Sequence, residues 1–198
     1  MSAIEQIMYG DLTRMRHVWR FSAQPVLYRE NVAEHSFWTA LIAMTIAAEL
    51  HEYELVGEVA QRAILHDVEE TLTGDLVREM KYFDAETRQA IGRVEALFAD
   101  RLFGSLPEPV GPLFQSTWED AKDPSLAGRI VAMADLLCVL SYLDHERSLG
   151  NQSAQLAQVD HDCRTLIDTK FAEDDRLYEI AAAFGNEKIA STGKEGTD

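Results

Sequence analysis

An all-α fold is what this sequence predicts, and three observations predict it. Apolar residues recur at three- and four-residue spacing in several long segments, no alternating strand pattern of convincing length occurs, and capping or turn-forming residues fall where those segments end. The expected packing is bundle-like, around two buried central helices.

Taken in order, Ile4, Ile7 and Met8 suggest a short opening helix, and Gly10-Asp11 ahead of Leu12 and Met15 suggests a second with Asp11 as its cap. Residues 16–32 lack a clean period, and Pro25 breaks any helix there. Asn31, with Glu34 three residues on, forms a capping arrangement before AEHSFWTALIAMTIAAEL, the first central helix. Residues 55–69 form another helix, ended by the turn chemistry of TLTGD. In residues 84–102, Ile91, Val94, Leu97 and Phe98 keep helical spacing until the proline-rich SLPEPVGP interrupts, and short connections follow. Residues 125–149 are so apolar from Ile130 to Leu143 that they read as the second central helix. One last helix is expected from about 154 to 183, and GNEKIASTGKEGTD beyond it has the composition of a disordered tail.

The 198 residues are enough for one domain with a real core. Cys138 and Cys163 show no CxxC spacing, so neither a disulfide framework nor a zinc ribbon is expected, and a reducing cytoplasm is the default compartment. The longest apolar window, ALIAMTIAAEL, is too short for a membrane span, so no membrane partner is expected. A net charge of −16 opposes polymeric nucleic acid, whose binding rests on neutralising phosphates. A small nucleotide is still admissible, since a metal ion and one or two arginines hold a phosphate locally.

Chemistry concentrates in a few polar residues set among apolar ones. Asp135 interrupts IVAMADLLCVL, where an unpaired carboxylate costs several kcal/mol. His35 opens the first central helix, and His66-Asp67 follows Ala63-Ile64-Leu65. One divalent transition metal would satisfy all four from three helices, the alternative being a hydrogen-bonded core network. On a helix Glu70 shares a face with His66 and Asp67, where a general acid or base belongs, although a solvated helix residue is the plainer reading. His17, His51, His145 and His161 have no comparable setting, and the Asp160-His161-Asp162 run is expected to be exposed.

The order His35, His66-Asp67, Asp135 resembles the HD-domain phosphohydrolase superfamily. RENVAEHS, LHDVEETLTGD followed by MKYF, and VAMADLLCVLSYL resemble, more narrowly, the YfbR-like 5′-deoxynucleotidases. The resemblance implies an HD-domain helical bundle over residues 1–185, with 186–198 as the tail. It implies His35, His66, Asp67 and Asp135 as ligands of one divalent ion, with Co²⁺ or Mn²⁺ favoured over Mg²⁺ and Zn²⁺. Glu70 and Arg20 match catalytic positions, Arg20 also as the phosphate-binding arginine. Asp75 matches the carboxylate that meets the sugar and disfavours a ribose 2′-hydroxyl. Phe21, Leu76, Val77, Arg78 and Lys81 complete the substrate-binding set. The implied reaction converts deoxynucleoside 5′-monophosphates to deoxynucleosides and phosphate, in a protein that is commonly a homodimer.

Two departures separate this chain from that pattern. Phe21 follows Arg20 where the family has tryptophan, while Trp19 precedes it, and DLVREMKYF has the charged pair Arg78-Glu79 and none of the family's prolines. Extra positive charge there suits more than one phosphate, which keeps open a deoxynucleoside triphosphohydrolase releasing tripolyphosphate, similar to the small phage dATP triphosphohydrolases. From a different class, a catalytically idle HD module that binds nucleotide or metal is the other alternative. Taken alone, Arg20 pairing a surface carboxylate, Asp75 capping a turn, Arg78 and Lys81 as solvated loop charges, and Phe21 with Trp19 in the core are the ordinary readings.

Overall fold

The computed structural model describes residues 2–191, of which most lie in helices. Its α-helices are α1 (Ala3–Tyr9), α2 (Val32–Glu49), α3 (Val56–Leu65), α4 (Glu70–Thr73), α5 (Arg78–Lys81), α6 (Ala85–Gly104), α7 (Val110–Glu119), α8 (Leu126–Ser148), α9 (Ala154–Lys170) and α10 (Asp175–Ser191). Two 3-10 helices, Asp11–His17 and Tyr53–Leu55, join them. Among the described residues there is no β-strand, only the bridge between Trp19 and Asn31.

The two expected central helices are α2 and α8. Asn31 Oδ1 accepts from the Glu34 N–H at 3.0 Å and Ser125 caps α8 in the same way, so both start where side-chain acceptors satisfy orphan donors. Ala43, Ile46 and Ala47 of α2 meet Ile130, Met133, Ala134 and Leu137 of α8, and α3, α9 and α10 close this core with Val59, Ile167 and Leu177. A second core lies where Leu65 and Val68 meet Ala99, Leu102 and Phe103 of α6. By length and composition alone α8 is apolar enough to cross a membrane, which the window ALIAMTIAAEL did not suggest, but most of it is buried inside the fold.

Several expectations are corrected. Ser2 rather than Asp11 is a cap: it forms a capping box with Glu5, while Asp11 is the first residue of its 3-10 helix and lies 3.8 Å from Arg14. The helix expected over 55–69 ends at Leu65. His66 Nδ1 lies 2.7 Å from the Ala63 carbonyl, and the chain continues through three-residue turns, with Val68 N–H bonded to Leu65 O and Glu70 N–H to Asp67 O. SLPEPVGP does more than interrupt, because its last residues open α7. The single helix expected over 154–183 is two. Fully buried Phe171 ends the first, and Asp174 Oδ1 accepts the Leu177 N–H at 3.2 Å to start the next. That last helix runs to Ser191, across the start of the expected tail, and residues 192–198 lie outside the described residues.

Candidate active site

Helices α2 and α8 and the turn after α3 bring four predicted residues together. His35 Nε2 is 3.0 Å from Asp135 Oδ1 and 3.8 Å from Asp67 Oδ2. His66 Nε2 is 2.9 Å from Asp67 Oδ2 and 3.9 Å from Asp135 Oδ1. The aliphatic context of Asp135 holds for its neighbours, yet its own side chain is 22% exposed, facing this pocket.

The donor set fits a divalent cation. The Ala63 carbonyl can only accept, so a His66 Nδ1–H donates to it and, in the neutral ring, leaves a lone pair on Nε2. That lone pair faces a carboxylate oxygen, and the buried Nε2 has no hydrogen-bond partner. Two acceptors so opposed call for a cation between them. Burial and the charge of Arg20 lower the His35 pKa to about 3, keeping it the neutral imidazole that ligation needs. Burial opposes ionisation of Asp67 and Asp135, but His66 and Lys122 for the first, and Lys122 and the His35 bond for the second, hold both well below the usual carboxylate range. Glu30, His35 and Cys138 form a rival cluster. Burial pushes the Cys138 thiol up to about 12, so it stays protonated and is the poorer ligand.

Around this nest stand the other predicted residues. The Arg20 side chain is nearly buried, its Nη1 is 3.9 Å from Glu30 Oε2, and that nitrogen lacks a hydrogen-bond partner. Its backbone is fixed by the Arg20 N–H to Glu30 O bond at 3.0 Å. Buried Glu70 accepts from Lys81 Nζ at 3.3 Å through Oε1, while Oε2 is unpartnered. Burial, then the charge of Asp67, raises the Glu70 pKa well above the ordinary value against the pull of Lys81 and Arg20. Glu69 is raised to about 7 by the same causes, and its Oε2 accepts from Trp118 Nε1 at 2.8 Å.

Asp75 Oδ2 accepts the Phe21 N–H at 2.9 Å, tying the loop after α4 to the segment after Arg20. Gly74 makes that turn with φ 72°, a conformation that favours glycine. Phe21 stacks on Tyr142 with centroids 4.7 Å apart, itself at φ 53°, so its ring packs against the core, whereas Trp19, expected in the core with it, is 41% exposed. Leu76 is half-buried, Val77 and Arg78 are exposed, and the Arg78 guanidinium lies 4.5 Å over the Tyr82 ring. In the Asp160-His161-Asp162 run, expected to be exposed, only His161 is: half-buried Asp160 pairs with Arg147 and Arg164 at 3.0 Å, and half-buried Asp162 accepts from Gln158 Nε2 at 2.8 Å.

Three residues escaped the sequence reading. Lys122 Nζ lies 2.6 Å from Asp135 Oδ2, and Glu95 Oε1 is 3.5 Å from Lys81 Nζ. Glu30 stands 3.8 Å from His35 Nδ1, its pKa raised to about 7 because burial outweighs Arg20. Glu30 was within the RENVAEHS motif, whereas nothing in the sequence around Lys122 or Glu95 marks either.

A helical frame that gathers two imidazoles and two carboxylates from three elements is that of the HD-domain phosphohydrolases. One from Listeria innocua matches with a TM-score of 0.82 at 20% identity, over 96% of this chain and 90% of that one. A cyanophage S-2L HD phosphohydrolase, solved with dA and one catalytic Zn²⁺, matches at 0.63 and 18%, over 89% and 94% of the two chains. At these identities the likeness is one of fold.

The sequence narrows the class, for the chain belongs to the YfbR-like 5′-deoxynucleotidase family, whose pattern matches residues 8–174. A 5′-deoxynucleotidase of Klebsiella pneumoniae is 29% identical over 177 residues, covering 87% of this chain and 88% of its own length. One of Vibrio vulnificus is 30% identical over 182 residues, covering 90% and 93%. The chain is thus a metal-dependent phosphohydrolase.

Proposed function

We propose that the protein is a 5′-deoxynucleotidase that hydrolyses deoxynucleoside 5′-monophosphates to deoxynucleosides and phosphate. The observation that carries this is the convergence of His35, His66, Asp67 and Asp135 beside Arg20 Nη1 and Glu70 Oε2, two buried polar atoms without a hydrogen-bond partner. The four convergent residues would hold one divalent ion, with Co²⁺ or Mn²⁺ favoured by the resemblance to the family. When bound, that ion supplies charge to polarise a phosphoryl oxygen and lowers the pKa of a water.

The chain's own residues do the rest. Arg20 offers its free Nη1 to the equatorial phosphoryl oxygens, where charge grows as the bond to the 5′-oxygen breaks. Burial favours the protonated carboxyl of Glu70, whose unpartnered Oε2 is placed to give a proton to the departing 5′-oxygen, while Lys81 fixes Oε1. Glu95 holds Lys81 from its far side. Asp75, anchored by the Phe21 N–H, reads the sugar and disfavours a 2′-hydroxyl, with Leu76, Val77 and Arg78 as the adjoining wall. Support for deoxynucleotides comes from the names of the relatives and from the dA in the cyanophage enzyme.

A second reading, cleavage of triphosphates at the α-phosphorus to release tripolyphosphate, is favoured by Arg78, an exposed cation in the loop after Asp75 that suits further phosphates. Metal-stripped protein, with and without added Co²⁺, Mn²⁺ or Mg²⁺, tests both readings against deoxy- and ribonucleoside mono- and triphosphates. Metal-dependent phosphate release from deoxy monophosphates is expected. Tripolyphosphate would move the assignment to the second reading, and no turnover with metal bound would make the protein a binding module.

The working form is a cytoplasmic homodimer in this reading. Phe37, at 56% exposure, lines a groove of about 690 Å³ with Ile64 and Leu113, and Trp38 and Leu41 are exposed further along α2. So large an apolar surface suits a second copy.

A further inference from the structure

Lys122 is the site residue that no motif marks. It lies between α7 and α8, and its ammonium reaches both carboxylates of the nest: 2.6 Å to Asp135 Oδ2 and 3.8 Å to Asp67 Oδ1. These are not the oxygens that face the histidines, which are Asp135 Oδ1 and Asp67 Oδ2. The carboxylate pair is therefore bracketed, with imidazoles on one side and an ammonium on the other.

The position is built rather than incidental. Buried Arg62 donates to the Asp120 carbonyl and lies 3.0 Å from Asp123 Oδ1, clamping the segment on either side of Lys122. Asp123 Oδ1 also accepts the Ser125 N–H at 3.1 Å. A Cβ at Gly128 would collide with Asp123, so the start of α8 is shaped to let this segment close onto it.

We propose that Lys122 is the resident counter-cation of the Asp67–Asp135 pair, holding the ligand set together before the ion arrives and competing with that ion for the same negative charge. The proposal rests on the metal-site reading above. Two like charges drawn together without a cation repel, and the ammonium offsets that repulsion in the metal-free protein. Once a divalent ion is in place, the same ammonium repels it across a few ångströms. One residue therefore raises the stability of the metal-free protein and lowers its affinity for metal, as linkage requires of two cations that share one pair of anions. The consequence is a site formed in advance from which the ion exchanges.

The test titrates metal-stripped wild type, Lys122→Met, Lys122→Arg and Asp135→Asn with Mn²⁺ by calorimetry, and records thermal unfolding of each without metal. Lys122→Met is expected to bind Mn²⁺ at least tenfold more tightly than wild type and to unfold about 3 °C or more lower when metal-free. Lys122→Arg, which keeps the charge, is expected to stay within about threefold of wild type. Unchanged or weaker binding by Lys122→Met overturns the proposal. Should Lys122→Met give no folded metal-free protein, Lys122→Gln is titrated in its place with the same expected direction. If wild type binds Mn²⁺ and Asp135→Asn does not, while Lys122→Met matches wild type, the metal site stands and the role of Lys122 falls. If wild type binds no divalent ion at all, both fall.

Discussion

Replacing Glu146 by glutamine removes the clamp that holds the segment after Arg20 against α8. Glu146 is fully buried, and four donors converge on its carboxylate. Tyr28 N–H reaches Oε1 at 2.6 Å, Leu27 N–H reaches Oε2 at 2.8 Å, Asn151 Nδ2 reaches Oε2 at 2.6 Å and Tyr142 OH reaches Oε1 at 3.4 Å. A glutamine puts an NH₂ where one oxygen was, so at least one backbone N–H faces a donor in either orientation. Losing one charge-assisted bond costs about 1.5–3 kcal/mol and burying the orphaned donor adds about 1–3, so Glu146→Gln should lower the unfolding free energy by roughly 2.5–6 kcal/mol. The assay is urea unfolding of both proteins at pH 7.5 and at pH 4. Burial opposes ionisation of Glu146, but the Leu27 and Tyr28 amides, Asn151 and Tyr142 hold its pKa below the ordinary 4.5. A depressed carboxyl pKa stabilises the fold fully above the unfolded value and loses that effect as pH falls through the folded one. The gap between the two proteins should therefore narrow below about pH 4.5. A difference under about 0.5 kcal/mol at neutral pH, or a gap that widens in acid, would refute the reasoning.

The remaining predictions concern chemistry and assembly. Glu70→Gln should lower turnover by about 10²–10⁴-fold with bound metal unchanged by elemental analysis; turnover within about threefold of wild type would remove Glu70 from the reaction. Lys81→Met takes away the ammonium that draws the Glu70 pKa down, so the limb of the pH profile belonging to Glu70 should move to higher pH, and a shift the other way would contradict the pairing. Phe37→Asp, which places a charge on the outer apolar face of α2, should convert a dimer to a monomer in sedimentation equilibrium; a dimer that persists means another face carries the interface.

The two central helices were legible because their apolar runs leave few polar positions, and each polar exception had to be explained. Asp135 and His35 are such exceptions, and they mark the site. The turn after α3 was less legible: periodicity continues through Val68, yet the helix ends at Leu65, where the His66 ring bonds the Ala63 carbonyl in place of a backbone amide. The break at Phe171 was hidden for a similar reason, since an apolar residue at helical spacing gives no sign that it is turned inward at a corner. Lys122 and Glu95 were out of reach. A surface-type charge in a polar segment looks the same whether it faces water or a carboxylate brought from 13 residues away, as Asp135 is for Lys122.

The central claim is that His35, His66, Asp67 and Asp135 hold one divalent ion. Anomalous diffraction from a crystal soaked in Mn²⁺ tests it most directly. The account predicts a single strong peak roughly 2.0–2.3 Å from His35 Nε2, His66 Nε2 and one oxygen each of Asp67 and Asp135. A peak among Glu30, His35 Nδ1 and Cys138 would contradict it, as would no peak in a crystal of protein that binds Mn²⁺ in solution.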